Sequence, residues 1–125
     1  MKKIIKTSQA PEAIGPYSQA VSTGDFVFTA GQIALRPGTN EMTEGDVAKQ
    51  TKQVLENLKA VLEAAGVDIS MVVKTTVYLT APEHFAPMNQ VYQHYFIEEP
   101  PARVAVFVKS LPKGALVEID AIARL

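Results

Sequence analysis

The stretch PARVAVFVKSLPKGALVEIDAIA (residues 101–123) decides the fold, because it has the composition of two strands joined by a Leu-Pro-Lys-Gly turn. Each strand carries a charged residue among apolar neighbours: Arg103 at the start of the first and Glu118 within the second. Burying a charge costs several kcal/mol unless the charge is paired or meets a charged ligand. Two interpretations therefore compete, a structural ion pair or a small anion site with an acid/base group beside it.

Both faces of these strands are apolar. Side chains alternate between the faces of a strand, so the first strand presents Val104, Val106 and Val108 on one face and Arg103, Ala105 and Phe107 on the other. The second strand alternates in the same way, with Val117, Ile119 and Ala121 opposing Leu116, Glu118, Asp120 and Ile122. A single chain would leave one such face exposed, and large exposed apolar patches usually mark an interface. We therefore expect a closed homo-oligomer.

The preceding sequence predicts a β-hairpin and an amphipathic helix. Gln19–Thr23 and Phe26–Ala30 flank Gly24-Asp25, a dipeptide typical of a hairpin turn. The helix is expected between Asp46 and Gly66, which have the positions of its caps. The residues of its packed face recur at helical spacing and comprise Val47, Thr51, Val54, Leu55, Leu58, Val61, Leu62 and Ala65.

A further strand and a second helix complete the pattern. Val72–Thr80 is rich in β-branched residues and predicts a strand, and Pro82–Ile97 predicts a helix that Pro100-Pro101 ends. The order β-β-α-β-α-β-β indicates an α+β domain of two layers, with both helices on one face of the sheet. A length of 125 residues suits one domain, residues 1–125.

The composition narrows the classes of function. A net charge of −1, with lysines and arginines scattered along the chain, lacks the basic patch of a nucleic-acid-binding protein. The chain has no cysteine, which excludes disulfides, a thiol nucleophile and thiolate metal ligands. The N-terminus lacks the apolar run of a signal peptide, and no segment has the length and hydropathy of a membrane span. We therefore expect a cytoplasmic protein without a membrane partner.

Arg103 and Glu118 are the main candidates for chemistry. A guanidinium binds a carboxylate through two parallel hydrogen bonds, whereas a half-buried glutamate has a raised pKa that suits a general acid or base. The alternative is an ion pair of Arg103 with Glu118 or Asp120. If the last two strands form a hairpin about Pro112, Glu118 lies opposite Phe107 and roughly 13 Å from Arg103 along the strand, which favours separate roles.

Three further residues are candidates for the same site. Tyr17 lies in a Gly-Pro loop, where it either covers the core or presents its hydroxyl to a ligand. Asn89 interrupts the apolar side of the second helix, and a buried amide needs hydrogen-bond partners. Gly31 either permits a close approach to its backbone or simply ends a strand. His84 and His94 lack a second cluster of ligands, so we expect no metal site.

Seven segments occur in a fixed order along the chain: GPYSQA (15–20), AGQI (30–33), VLENLKAVLEAAG (54–66), VVKTTVYL (72–79), FAPMNQVYQHYF (85–96), PPAR (100–103) and LPKGALVEIDAIA (111–123). Together they resemble the reactive intermediate deaminase family, RidA/YjgF, over nearly the whole chain. The combination of GPYSQ with PAR and VEI is specific, whereas each motif alone is weak.

The resemblance implies a chorismate-mutase-like α+β fold with a mixed sheet, a homotrimer, and sites in the clefts between subunits. It also implies hydrolysis of small enamines and imines, such as 2-aminoacrylate, to 2-keto acids and ammonia, without metal or cofactor. By this resemblance Arg103 binds the substrate carboxylate and Glu118 orients or activates water. Tyr17 comes from the neighbouring subunit, and Asn89 and Gly31 line the pocket.

Two positions depart from the family pattern. Ala105 stands where the family often has a cysteine; alanine keeps the main-chain N–H that the resemblance directs at the carboxylate but brings no thiol. Ala30 stands where the family often has a serine, so the expected pocket has one hydroxyl fewer.

Two other functions compete with the deaminase. A non-catalytic regulatory protein that binds 2-keto acids or related metabolites would need Arg103 but not Glu118. The other is an endoribonuclease, an activity attached to some relatives of the family, but the balanced charge and the absence of a paired-histidine cluster argue against it.

Overall fold

The computed structural model describes residues 1–125, which form one sheet and two α-helices. The strands are β1 (Lys3–Ile5), β2 (Ala20–Thr23), β3 (Phe26–Thr29), β4 (Val72–Leu79), β5 (Ala102–Phe107) and β6 (Val117–Arg124), and the helices are α1 (Val47–Ala64) and α2 (Phe85–Tyr95). The predicted two-layer α+β architecture and the β2–β3 hairpin are confirmed. The short strand β1 was not predicted, because three residues are too few to show a period. Neither helix combines the length and apolar character needed to span a bilayer.

The sheet has the order β1-β2-β3-β6-β4-β5, so β4 lies between the last two strands of the chain. The predicted hairpin of β5 with β6, and the pairing of Glu118 with Phe107, are therefore wrong. β5 pairs parallel to β4, since α2 forms the crossover between them. A short 3₁₀ turn at Pro112–Gly114 then leads to β6, which runs antiparallel to both β3 and β4 in the centre of the sheet.

Helix α1 has the predicted limits and caps. The Asp46 side chain accepts a hydrogen bond of 3.1 Å from the Lys49 backbone N–H, which satisfies one free donor of the first turn. At the other end Gly66 has φ +85°, and the N–H of Val67 donates to the carbonyl of Leu62. This is a Schellman ending, for which glycine is the usual residue because it has no Cβ to strain the left-handed conformation.

Helix α2 is shorter than predicted. Residues Pro82–His84 form a 3₁₀ turn, and the α-helix runs only from Phe85 to Tyr95. Met88, Tyr92 and Phe96 of this segment are buried in the core shared with α1 and the sheet. The core therefore covers the helix-facing side of the sheet alone.

The other side of the sheet is open and apolar. Phe26 and Phe28 of β3 and Val104 and Val106 of β5 are each 37% to 43% exposed. This is the exposed apolar face that the alternation of the strands predicted. An oligomer that covers it stays a prediction.

Asn57 offers a test of what holds the loop after β3 to the core. Its side chain is 1% exposed and donates hydrogen bonds to the carbonyls of Ile33 and Leu35, at 3.2 Å and 2.9 Å. We expect Asn57→Leu to lower the free energy of unfolding by about 2 kcal/mol, because buried carbonyls lose their donor. Urea denaturation measures the change. Lys52→Leu, on the exposed side of the same helix, is the control and should change it by less than about 0.5 kcal/mol.

Candidate functional site

Arg103 lies on the helix-facing side of β5, the terminal strand of the sheet. Its guanidinium donates a hydrogen bond of 2.6 Å to Asn89 Oδ1 on α2. The guanidinium carbon also lies over the rings of Tyr92 and Phe85, 4.8 Å and 5.5 Å from their centroids. Neutral groups thus hold the cation, and the predicted alternative of an ion pair with Glu118 or Asp120 is wrong. The charge of Arg103 remains available for an anion.

The groups that hold Arg103 come from one side of α2. Phe85, Asn89 and Tyr92 follow the i, i+4, i+7 spacing that places residues on the same helix face. Because Asn89 Oδ1 accepts from Arg103, the Nδ2 group of the same amide is left to donate to another acceptor. The only buried side-chain polar atom without a partner is Asn40 Oδ1, so the Nδ2 group of Asn89, which makes no hydrogen bond within the chain, reaches solvent. Arg103 and Asn89 therefore form a set of adjacent donors suited to a carboxylate.

Ala105 lies two residues beyond Arg103 on the same face of β5 and is partly buried against the core. It is in register with Val77, which is fully buried. The prediction that Ala105 and Arg103 share a face is confirmed.

Glu118 lies on the opposite face of the sheet. In β6 it is in register with Tyr78 of β4, which is in turn in register with Val106 of β5. Its neighbours Val117 and Ile119 are fully buried under the helices, so Glu118 points to the open face. Arg103 and Glu118 are thus separated by the sheet itself within one chain.

The side chain of Glu118 packs directly against the backbone of Gly31. A Cβ atom at position 31 would clash with Glu118 Oε2 and come within 2.9 Å of its Cδ. The next residue, Gln32, exchanges two backbone hydrogen bonds with Ile119, of 2.9 Å and 3.1 Å, which fix the 31–32 segment beside β6. Of the two predicted roles of Gly31, the close approach to its backbone is confirmed.

The pKa of Glu118 is raised from its ordinary value, first by burial and second by the negative charge of Asp120 on the same face. Burial also raises the pKa of Asp120, although hydrogen bonds from Tyr78 and Thr76 and the charge of Lys74 oppose this. The sequence predicted the direction for Glu118. A raised pKa brings a carboxyl group closer to the range in which a general acid or base works.

Tyr17 and Glu118 both line a pocket of about 300 Å³. The Tyr17 side chain is 52% exposed, and its hydroxyl accepts a hydrogen bond of 3.3 Å from the Ile14 N–H. It therefore does not cover the core of its own chain. The rest of the wall includes Pro11, Ile33, Leu35, Pro112 and Lys113.

The structure divides the predicted residues into two groups. Arg103, Asn89 and Ala105 lie on the helix-facing side of the sheet, and Glu118, Gly31 and Tyr17 lie on the other side or at its rim. One set offers donors for an anion, and the other a carboxyl group and a hydroxyl. The histidines belong to neither set, since His84 contacts Thr80 and His94 contacts a carbonyl of its own helix.

Three buried amides that place the loops around the site were missed from the sequence. Gln19 donates to the carbonyl of Pro11 at 2.7 Å and accepts from the Thr7 N–H at 2.7 Å, which fixes the loop before Tyr17. Gln50 accepts from the Leu116 N–H at 2.9 Å, just before Glu118, and Asn57 holds residues 33–35. Gln50 and Asn57 are seven residues apart on the packed face of α1, so a search for polar residues at apolar positions of the helix could have found them.

The raised pKa of Glu118 predicts a pH-dependent effect on stability. A carboxyl group whose folded-state pKa is raised favours folding while protonated, and this contribution is lost as the pH rises through that pKa. We expect Glu118→Gln to increase the free energy of unfolding at pH values above the raised pKa, and this gain to vanish below 4.5, the ordinary value for glutamate. Urea denaturation of ligand-free protein at several pH values measures it.

Glu63→Gln, on the exposed side of α1, is the matched control and should show no such gain. A Glu118→Gln protein that is no more stable than wild type at pH values above the raised pKa would contradict the prediction.

Comparisons with known proteins place this geometry in a family. A family model described as Endoribonuclease L-PSP matches residues 7–125. RutC family protein PH0854 of Pyrococcus horikoshii is 57% identical over 123 residues, which cover 98% of each chain. The mouse protein named 2-iminobutanoate/2-iminopropanoate deaminase is 46% identical over 98% of this chain and 91% of its own.

The solved structures agree. The crystal structure of RidA from the Antarctic bacterium Psychrobacter sp. PAMC 21119 is 46% identical, covers 98% of this chain and 99% of its own, and superposes with a TM-score of 0.95. The fold that the sequence resemblance implied is therefore confirmed. The chain belongs to the Endoribonuclease L-PSP family, which is the RidA/YjgF family that its motifs resemble.

Proposed function

We propose that this protein is a hydrolytic deaminase of small 2-imino and 2-enamino acids, such as 2-aminoacrylate, and that it yields a 2-keto acid and ammonia. The observation that carries the proposal is the partly buried guanidinium of Arg103, which hydrogen-bonds to an amide and has no carboxylate partner. A cation held in this way is suited to the carboxylate of a small acid. Relatives named for an imine deaminase activity support the same substrate class.

We propose further that two copies of the chain complete each site. Arg103 and Glu118 lie on opposite faces of one sheet, so no small substrate can contact both within one chain. β5 is an edge strand of the sheet, and its Val104 and Val106 belong to the open apolar face. A second copy that covers this face and extends around the edge would bring its Glu118, Gly31 and Tyr17 towards this Arg103. The assembly proposed is a homotrimer, in which each of three clefts would hold one site.

In the proposed reaction Arg103 binds the substrate carboxylate through two hydrogen bonds, and Asn89 Nδ2 provides a further donor. Glu118 accepts a proton from a water molecule while the water oxygen forms a bond to the imine carbon, and the C=N electron pair moves to nitrogen. Glu118 then returns this proton to the nitrogen, which gives a carbinolamine. As its C–N bond breaks, the hydroxyl group loses its proton, which ends on the departing nitrogen, so that the carbonyl forms and ammonia leaves. Orientation and proton transfer suffice, because the imine carbon is already electrophilic. The Tyr17 hydroxyl would close the cleft and contact the water or the nitrogen, without metal or cofactor.

Two other functions make different demands on the same residues. A regulatory binder of 2-keto acids would use Arg103 but leave Glu118 without a role. In that case Glu118→Gln would bind pyruvate as the wild type does, and there would be no catalytic activity for it to lose. An endoribonuclease, the activity in the description of the family model, would need affinity for a polyanion. A net charge of −1 does not favour it, and only a steep salt dependence of RNA binding would.

Arg103→Lys tests the carboxylate contact. An ammonium cannot donate two parallel hydrogen bonds, and losing one charge-assisted bond should lower the rate of imine hydrolysis about 10- to 100-fold. The measurement is ammonia release from 2-aminoacrylate generated by a pyridoxal-phosphate-dependent dehydratase. Arg36→Lys, in an exposed loop, is the control and should keep full activity.

Full activity of Arg103→Lys would remove this residue from the mechanism. A wild-type protein that binds pyruvate but never accelerates ammonia release would replace the deaminase by the regulatory binder.

Mixed assemblies test whether the site lies between subunits. Arg103→Lys and Glu118→Gln should each be nearly inactive alone, with Glu118→Gln still binding pyruvate. When the two variants are unfolded together and refolded, about a quarter of the clefts should combine an intact Arg103 with an intact Glu118 from the next subunit. We expect activity to return to about that fraction of wild type. Refolding each variant alone is the control, and mixed assemblies without activity would contradict a site shared between subunits.

A further inference from the structure

We infer that Tyr92 is a positioning residue for Arg103: its ring confines the guanidinium so that the site prefers carboxylates over neutral acceptors of the same shape. The inference rests on the proposed function, since it concerns how the same arginine would hold the substrate carboxylate. Tyr92 itself would touch neither substrate nor water.

The Tyr92 ring is held firmly in place. Its side chain is 6% exposed and packs against Phe96, with the ring centroids 4.6 Å apart. Its hydroxyl shares a hydrogen bond of 2.7 Å with Thr75 Oγ1, and Thr75 is fully buried in β4. The register of the sheet puts Thr75 directly beside Arg103, so the group that fixes the ring belongs to the same row as the arginine. The ring therefore cannot move away when a ligand binds.

The ring and Asn89 restrain Arg103 in complementary ways. The hydrogen bond to Asn89 Oδ1, at 2.6 Å, fixes one nitrogen but leaves the guanidinium free to turn about that bond. The face of Tyr92, 4.8 Å from the guanidinium carbon, limits this turning because the cation is attracted to the ring face. Phe85, at 5.5 Å, bounds the group at a second ring. Together these contacts restrict the orientation of the guanidinium plane, and with it the directions in which its free N–H groups can point.

A restricted plane has a consequence for specificity. A carboxylate offers two equivalent acceptors that match two parallel N–H groups, whereas a primary amide of the same shape offers one acceptor and two donors. A confined guanidinium cannot turn to suit the amide, so it should favour the carboxylate strongly. An unconfined guanidinium can adapt to either ligand and should discriminate less.

The experiment compares pyruvate with pyruvamide, its neutral amide, as ligands of the intact protein. The variants are Tyr92→Met, which fills a similar volume without a ring face, and Tyr92→Phe, which keeps the ring. We expect Tyr92→Met to weaken pyruvate binding about 3- to 30-fold and to leave pyruvamide binding nearly unchanged, so that the ratio of the two dissociation constants falls. Tyr92→Phe should retain most of the wild-type ratio.

Phe96→Met is the matched control. It removes a buried ring that packs against Tyr92, whereas the rings over which the guanidinium lies are those of Phe85 and Tyr92. It should lower thermal stability and change the ratio of the two dissociation constants far less than Tyr92→Met does, because the hydrogen bond to Thr75 still holds the Tyr92 ring. A ratio that falls equally in Tyr92→Met and Phe96→Met would show general loosening of α2 and would overturn the inference.

Two other outcomes would also overturn it: unchanged pyruvate affinity in Tyr92→Met, or equal weakening of pyruvate and pyruvamide. Should Tyr92→Met fail to fold, Phe85→Met tests the same confinement, because Phe85 is only partly buried and its loss is easier to tolerate. An unchanged ratio in that variant again contradicts the inference. A wild-type protein that binds no pyruvate and does not accelerate ammonia release would instead contradict the proposed function.

Discussion

The alternation of side chains along neighbouring strands determines on which face of the sheet each candidate site residue lies. β4 lies between β5 and β6, and its residues Thr75 and Tyr78 are in register with Arg103 and Glu118 respectively. Thr75 and Tyr78 are three residues apart, and side chains an odd number of residues apart on a strand point to opposite faces. Arg103 and Glu118 therefore also face opposite sides of the sheet. A charged pair that could have neutralised itself inside one chain is kept apart by the backbone between its members. Arg103 and Glu118 are therefore each available to a ligand or to a second chain.

The two faces give their charges different surroundings. On the helix side, aromatic rings and an amide hold Arg103 without using up its charge. On the open side, Glu118 lies against the bare backbone of Gly31, where burial and the nearby Asp120 raise its pKa. A cation free to bind an anion and a carboxyl group with a raised pKa are the two groups that the proposed deaminase would use. The proposed oligomer is the means by which one half would meet the other.

The sequence predicted a large part of the fold for identifiable reasons. The helical spacing of apolar residues, with Asp46 and Gly66 as caps, gave the limits of α1 because these signals are local. The same holds for the β2–β3 hairpin and its Gly24-Asp25 turn. The order of the strands was not local, and the hairpin expected about Pro112 was wrong because β6 pairs with β3 and β4 rather than with its predecessor. The buried amides such as Asn57 escaped notice because their partners are distant carbonyls.

The residue types at the candidate site were determined by the sequence alone: one arginine and one glutamate on apolar strands, with Tyr17 and Gly31 in conspicuous loops. Their motifs also determined the family. Only the tertiary structure decided which residues lie together, since Asn89 and Tyr92 contact Arg103 from α2, and Thr75 of β4 holds Tyr92. It also decided that Arg103 and Glu118 lie on opposite faces. The physical reason is that strand register depends on pairing across the sheet, and no local pattern of residues specifies which strand lies between two others.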